Sequence, residues 1–142
     1  MTTVAVRPAT AADLGLIVGW GHAFFEHLRT ATADPWFEGA TLDAVALEAR
    51  LRAGLEKGDL LRLAEIDSAP AGYLYAGLER PFIRESPVER VGHVHHVWVE
   101  PRARGRGAAR ALLADAEAWF HDQGVGWIEL SYQPANAAAV KA

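Results

Sequence analysis

The chain has 142 residues, of which 51% are hydrophobic, and this length suits one globular domain, 1–142, with its own core. A formal net charge of −4 argues against general affinity for nucleic acid, because proteins of that kind usually carry a basic surface. The absence of cysteine excludes disulfides, thiolate metal sites and a cysteine nucleophile. No apolar run reaches the roughly 18 residues of a membrane span, and the first residues lack the order of a signal peptide. We therefore expect a cytoplasmic protein with no nucleic-acid or membrane partner.

The apolar pattern predicts strands and helices in the order β-α-α-β-β-β-α-β-α. In chain order, the predicted elements are a strand at 4–6, a helix from about 11 to 28, a helix from 41 to 57, a hairpin of strands at 60–66 and 71–78, a strand at 91–99, a helix from 108 to 123, a strand at 127–133 and a helix that begins after 134. Leu16, Ile17 and Trp20 belong to the stripe expected to be buried on the first helix, and Thr41 is the expected N-cap of the second. Only the strand-helix-strand unit at 91–133 requires parallel pairing, which indicates an α/β protein with a mixed sheet.

A turn rich in glycine and arginine separates the fourth strand from the third helix. It reads Arg102-Ala-Arg-Gly105-Arg-Gly107. A helix N-terminus presents unpaired N–H groups and a partial positive charge, and glycine lets a bulky anion approach the backbone. The turn therefore predicts a binding site for a phosphorylated cofactor. A nucleic-acid patch is the alternative use of these arginines, and the negative net charge disfavours it.

The element order and this turn together resemble the GCN5-related N-acetyltransferase (GNAT) superfamily over nearly the whole chain. The motifs that carry the resemblance are the signature Arg102-x-x-Gly105-x-Gly107, the strand Val97-x-Val99-x-Pro101 before it, the pair Leu112-Leu113 after it, and Asn136-x-x-Ala139 at the start of the last helix. The resemblance implies a sheet whose fourth and fifth strands splay apart, with acetyl-CoA bound in the notch and no metal. The family also has two further strands after the last helix. We expect that the chain lacks this C-terminal segment, with a partner chain completing the sheet, for example in a homodimer, as the alternative.

The resemblance assigns three groups of residues to acetyl-CoA. The first is the turn and helix start, whose backbone N–H groups and arginines would hold the pyrophosphate. The second is the fourth strand, whose main chain would pair with the pantetheine arm. The third is the asparagine, which would contact that arm while also capping the helix. The residues are, in that order, Arg104, Gly105, Arg106, Gly107, Ala108, Ala109 and Arg110; Val97, Trp98 and Val99; and Asn136.

Three of the six histidines crowd the strand that would present the acetyl group: His93, His95 and His96. An alkyl amine must lose a proton before it attacks a thioester, and histidine is the side chain best suited to accept that proton near pH 7. Regular strand alternation places His93 and His95 on one face and His96 on the other. The pair resembles the proton relay of arylalkylamine N-acetyltransferases, and His95 also resembles a histidine of some aminoglycoside 6′-N-acetyltransferases. We predict that His95 is the base and that the N–H group of Val97 stabilises the oxyanion.

Other roles for these histidines stay open. Each of them can be a hydrogen-bonded residue of the core or rim. A metal site is disfavoured, because no Asp, Glu or Cys stands beside them at ligand spacing. The tyrosine that many GNAT enzymes use as general acid lies beyond Ala142, and Tyr132 does not match its position.

The expected acceptor is a primary amine of a small molecule. Two sets of side chains are candidates for recognising it, an apolar set of Trp36, Phe37, Tyr73, Tyr75 and Phe82, and an acidic set of Glu26, Glu79 and Glu85. A protein or peptide amine is an alternative acceptor. A module that binds acyl-CoA without catalysis is the alternative from another class.

Overall fold

The computed structural model describes residues 2–32, 34–37 and 39–130. Its elements are β1 (Val4–Pro8), α1 (Leu14–Ala31), α2 (Ala44–Lys57), β2 (Leu60–Ile66), β3 (Ala69–Glu79), β4 (Val91–Val99), α3 (Ala108–Asp122) and β5 (Ile128–Leu130). Within these residues, one sheet has the order β1-β2-β3-β4-β5, with β4 and β5 parallel and the other pairs antiparallel. The predicted α/β fold with a mixed sheet is confirmed. The last predicted helix with Asn136, and the strand splay beyond Leu130, lie outside the described residues.

Helices cover both faces of the sheet. On one face, α3 packs through Ala108, Leu112, Ala116 and Phe120 against buried side chains of the central strands that include Leu60, Leu74, Val94 and Val99. On the other face, α1 and α2 pack through Ile17, Trp20, Leu47 and Leu51 against Leu61, Leu63, Tyr73 and Trp98. Burial of apolar surface on both faces stabilises the layered fold. The central strands β3 and β4 are thereby held between two apolar layers.

The helix starts differ from the predicted ones by a few residues. A short 3-10 turn at Ala11–Asp13 precedes α1, and Leu14 is buried where Leu16 was expected to be. Asp43 caps α2 by accepting a hydrogen bond from the N–H group of Ala46 at 3.1 Å. The predictions for Leu16 and Thr41 are therefore wrong. The buried face of α1 runs through Leu14, Ile17 and Trp20, as expected for the last two, and leaves Leu16 41% exposed.

Gly92 lies in β4 where Phe120 of α3 crosses the strand. A Cβ atom at Gly92 would lie 2.6 Å from ring carbons of Phe120, well inside van der Waals contact. Gly92→Ala is therefore expected to lower the free energy of unfolding by about 1–3 kcal/mol, the usual cost of overpacking a core. Urea denaturation measures this loss. Gly126→Ala is the control, because a Cβ atom there meets nothing within 4 Å. An equal loss in both variants would contradict the packing argument.

Candidate active site

A bulge in β4 decides where the clustered histidines lie. His96 is opposite Tyr75 on β3 and Val94 is opposite Ala76, which leaves His95 as an extra residue without a partner. A bulge of this kind adds one residue to a strand and shifts the alternation of side chains that follows.

The side chains on either side of the bulge confirm this shift. Val94 packs toward α3 before the bulge, and Val97 and Val99 pack toward α3 after it. His95 and His96 consequently both lie on the face covered by α1 and α2, where His93 lies as well, since it is one residue before Val94. The prediction that His96 faces away from His95 is wrong, because it assumed a regular strand.

A cleft of about 360 Å³ opens between α2 and the strands β3 and β4. Its apolar lining comes from residues such as Leu47 and Leu51 of α2. Its polar lining consists of Arg50, Lys57, Asp59, Glu79, His95, His96 and the hydroxyl-bearing Tyr75. The cleft therefore combines an apolar wall with both signs of charge, which is typical of a site for a small polar molecule.

His95 is placed beside a carboxylate inside this cleft. Its Nε2 atom lies 3.3 Å from Oε1 of Glu79. Burial lowers the pKa of His95 below its usual value near 6.5, while the Glu79 carboxylate raises it in part. The imidazole is therefore mainly neutral at pH 7 and able to accept a proton. A carboxylate next to Nε2 favours the tautomer that carries its proton there, with the lone pair on Nδ1.

His93 extends this arrangement toward β5. Its ring lies 4.7 Å from the ring of His95, measured between centroids. Its Nδ1 atom is buried, has no hydrogen-bond partner among the described residues, and lies 3.9 Å from Glu79 and 3.7 Å from Glu129. Two carboxylates and two imidazoles thus lie next to one another across the neighbouring strands β3, β4 and β5.

His96 has a different environment. Its Nδ1 atom lies 3.3 Å from the hydroxyl oxygen of Tyr73, and its ring contacts Phe24 at 5.9 Å between centroids. Burial lowers the pKa of His96 to about 4. At neutral pH His96 is therefore an uncharged, hydrogen-bonded part of the packing between α1 and the sheet.

Tyr75 and Asp59 form the floor of the cleft. The Tyr75 hydroxyl donates a hydrogen bond to Oδ2 of Asp59 at 2.9 Å. Burial, with the hydrogen bond to this carboxylate as a second cause, raises the pKa of Tyr75 to about 12. Tyr75 therefore remains a phenol at physiological pH. Asp59 was not recognised in the sequence, where an aspartate after a helix-ending glycine is ordinary turn chemistry.

The glycine turn exposes backbone at the start of α3. Gly105 has φ +80° and Gly107, the N-cap of α3, has φ +92°, a region that favours glycine. A Cβ atom at either position would meet nothing within 4 Å. The space beside both glycines is therefore open, which leaves room for an anion next to the backbone at the start of α3.

Two arginines of the turn contact other residues of the chain. Arg104 lies over the ring of Trp98 at 4.8 Å and donates to the carbonyl oxygen of Val99 at 3.0 Å. Arg102 donates to Glu100 at 2.7 Å, and that carboxylate also accepts a hydrogen bond from Nε1 of Trp20 at 2.9 Å. These contacts fasten the turn to β4 and α1.

Arg106 and Arg110 differ from these two arginines. Both are exposed, and neither side chain has an ion pair or hydrogen bond to the described part of the chain. They are thus available to an anion at the start of α3.

The side chains of the two sets predicted to recognise the acceptor do not come together in one site. Trp36 and Phe82 are exposed, Phe37 packs against Phe25 of α1, and Tyr73 is fully buried. Only Tyr75 lines the cleft. Of the acidic set, Glu79 lines the cleft, Glu26 lies 3.9 Å from Arg29, and Glu85 is in the exposed loop before β4.

Among the residues that the structure describes, no group of three or more His, Cys, Asp or Glu side chains has the arrangement of a metal site. No helix in the same residues is long and apolar enough to cross a membrane.

The family model described as the acetyltransferase (GNAT) family matches residues 21–142, and the chain belongs to that family. The predicted family is thereby confirmed.

Known proteins show the same fold. The chain is 29% identical over 152 residues to a mycothiol acetyltransferase of Salinispora arenicola (strain CNS-205), an alignment that covers 99% of this chain and 42% of that protein. It thus spans about two fifths of the curated relative. A ribosomal-protein-alanine N-acetyltransferase from Brucella melitensis has a TM-score of 0.74 at 26% identity, covering 96% of this chain and 79% of the other. The aminoglycoside N-acetyltransferase AAC(6')-Iy, solved in complex with CoA, has a TM-score of 0.79 at 17% identity, covering 99% and 84%.

Proposed function

We propose that the chain is an acetyl-CoA-dependent N-acetyltransferase that moves the acetyl group to a primary amine of a small molecule by direct attack on the thioester. The observation that carries this proposal is the bulge in β4, which places a neutral His95 in a cleft on the strand that leads to the glycine turn. The relatives named above support it, since their names include acetylation of small molecules and one of them was solved with CoA.

The cofactor would bind along the part of β4 that follows its pairing with β5 at residues 92–94, and at the start of α3. Backbone N–H groups from Arg104 to Ala109 would hold the pyrophosphate, with added charge from Arg106 and Arg110. The main chain of Val97, Trp98 and Val99 would pair with the pantetheine arm as a strand does. Asn136 lies outside the described residues, and we propose that it contacts the pantetheine arm.

The chain's own residues can account for the proton transfers of this reaction. His95 takes a proton from the protonated amine, and the neutral amine then attacks the thioester carbon. The N–H group of Val97 would stabilise the negative charge on the carbonyl oxygen. The C–S bond then breaks and CoA leaves as a thiolate. The nitrogen loses its second proton as the amide forms, and the thiolate can take up this proton directly or through solvent, because a thiol has a pKa near 8.5.

His93 and the two glutamates would carry the accepted proton away from His95. The 4.7 Å spacing between the imidazole rings, together with Glu79 beside both of them, supports a path of this kind. We assign His96 a structural role, since its low pKa makes it a weak base and its Nδ1 atom contacts Tyr73.

Calorimetry with acetyl-CoA, combined with a thiol-release assay on small amines and on peptides with free N-termini, tests the proposal. The expected result is micromolar or tighter binding and turnover of at least one small amine. Binding without turnover on any acceptor would instead identify a non-catalytic acyl-CoA-binding module. Turnover of peptides alone would identify a protein acetyltransferase. The Brucella melitensis protein carries the name of an enzyme of that kind.

Replacing Glu79 tests the carboxylate beside the base. In Glu79→Gln the pKa of His95 is expected to fall further, because the negative charge that raises it is gone. The acid limb of the pH profile of kcat should move to lower pH, and the plateau of kcat should fall by about tenfold or less, because Glu79 is 47% exposed and screened by water.

The histidine Cε1–H resonance in NMR follows the titration of His95 directly. Glu129→Gln is the control for the Glu79 variant, since Glu129 contacts His93 and not His95. If the acid limb shifts equally in both variants, Glu79 does not act through His95.

A further inference from the structure

Asp59 is a carboxylate buried on the floor of the cleft. Its side chain is 9% exposed, although it belongs to a residue type that is seldom buried without a partner. Both of its recorded contacts are made by Oδ2, which accepts from the Tyr75 hydroxyl at 2.9 Å and lies 3.6 Å from Nζ of Lys57. No hydrogen bond from the described residues reaches the other oxygen, Oδ1. Oδ1 is not among the described fully buried atoms that lack a partner, so it is accessible to water and to a ligand.

The Asp59 carboxylate fits into its position because two neighbouring residues are glycines without a Cβ atom. A Cβ atom at Gly77 of β3 would lie 3.0 Å from Oδ1 of Asp59. A Cβ atom at Gly54 of α2 would lie 2.8 Å from the Tyr75 hydroxyl and 3.1 Å from Oδ2. Any larger residue at either position would crowd the carboxylate. The strand and the helix therefore form a cradle around Asp59 within the cleft that holds His95 and Glu79.

The contact with Lys57 indicates which chemical group suits the free oxygen. Lys57 is 70% exposed, and its ammonium group already lies beside the carboxylate from the rim of the cleft. An ammonium group carries three donors and a full positive charge, which together compensate a buried carboxylate. Lys57 contacts Oδ2 from an exposed position, so a ligand ammonium at Oδ1 would compete with it for the negative charge of the same carboxylate. Arg50 also lines the cleft as an exposed residue, and its positive charge partly offsets the causes that raise the pKa of Tyr75 and adds to those that lower the pKa of His96.

We propose that Asp59 binds a second ammonium group of the acceptor, so that the substrate belongs to the class of diamines, polyamines or amino sugars with two amino groups. This inference rests on the proposed function, since the first amino group is the one that His95 would deprotonate. Tyr75 orients the carboxylate through Oδ2, and Oδ1, which lies against Gly77, is the oxygen available to the ligand. Affinity for the acceptor then depends on the spacing between its two amino groups.

The test compares α,ω-diamines of increasing length with n-alkylamines of the same carbon count. The thiol-release assay gives kcat/KM for each amine, and calorimetry in the absence of acetyl-CoA gives binding without turnover. Wild-type protein is expected to prefer the diamine of best length by about tenfold or more in kcat/KM, mainly through a lower KM. In Asp59→Asn this ratio should fall to near one, while asparagine still accepts the Tyr75 hydrogen bond. Asp122→Asn, at the exposed end of α3, is the matched control and should keep the wild-type ratio.

A second variant, Lys57→Met, keeps the test informative if Asp59→Asn misfolds. Removing the competing ammonium from an exposed position should lower the KM of the diamine, by about threefold, and a gain of this kind cannot come from damage to the fold. Equal kcat/KM for diamines and monoamines in wild-type protein would overturn the Asp59 subsite and leave the acetyltransferase proposal standing. Diamine binding that Asp59→Asn removes, in a protein without turnover on any amine, would support the subsite and overturn the proposed reaction. Absence of both binding and turnover would overturn both.

Discussion

Gly107→Glu is expected to weaken the binding of CoA and acetyl-CoA by at least about 100-fold, a loss of roughly 3 kcal/mol. Gly107 is the N-cap of α3, and the space beside it is open. A glutamate there would place its carboxylate among the N–H groups proposed for the pyrophosphate, where it would compete with that anion and repel it. Strain adds to the effect, because a side chain at φ +92° costs about 1 kcal/mol or more. Calorimetry with CoA measures the loss.

Two further variants separate charge from strain in this experiment. Gly107→Ala carries the strain without the charge and is expected to retain most of the CoA affinity. Gly124→Glu has the same glycine-favouring backbone, with φ +75° and open space, at the opposite end of α3, about 22 Å away for a helix of 15 residues. It should bind CoA as the wild type does. Wild-type affinity in Gly107→Glu would place the pyrophosphate elsewhere on the protein.

The glycine turn is the part of the site that local sequence predicts best. Its function depends on backbone conformation over a few consecutive residues, and Gly105 and Gly107 both have the positive φ that glycine permits. The start of α3 at Ala108 likewise agrees with its apolar periodicity. The roles of the arginines were less predictable, because Arg104 and Arg102 are engaged by Trp98 and Glu100, which only the folded chain brings to them.

The cleft depends on contacts between distant segments, and single-sequence patterns predicted it only in part. The face of His96 was wrongly predicted because a bulge is set by strand pairing rather than by composition. The sequence offered Glu79 as one of three glutamates that could attract a cationic acceptor. Only the register of β3 with β4 shows that it lies near His93 and His95. Asp59 reaches the cleft only through the packing of α2 on the sheet. Trp36 and Phe82 have the composition of pocket residues, yet they remain exposed.

His95→Ala is expected to lower kcat by about 100-fold at pH 7 and to leave the affinity for CoA nearly unchanged. In wild-type protein kcat should rise as the pH increases through the pKa of His95, which burial holds below about 6.5, because only the neutral imidazole accepts a proton. The variant lacks this base, so its rate should follow the small fraction of amine that is already neutral. The deficit should therefore be largest between the pKa of His95 and that of the amine. It should shrink at higher pH, where the amine loses its proton unaided.

His96→Asn provides the contrast for this experiment, since it alters a neighbouring imidazole that contacts Tyr73 and has a pKa of about 4. That variant is expected to unfold more easily while keeping the acid limb of the pH profile where the wild type has it. His95→Gln keeps a polar group near Glu79 but cannot act as a base, and it should lose as much activity as the alanine variant. An unaltered pH profile in His95→Ala would remove His95 from the reaction. In that case His93, whose Nδ1 lies buried between Glu79 and Glu129, would become the imidazole to replace next.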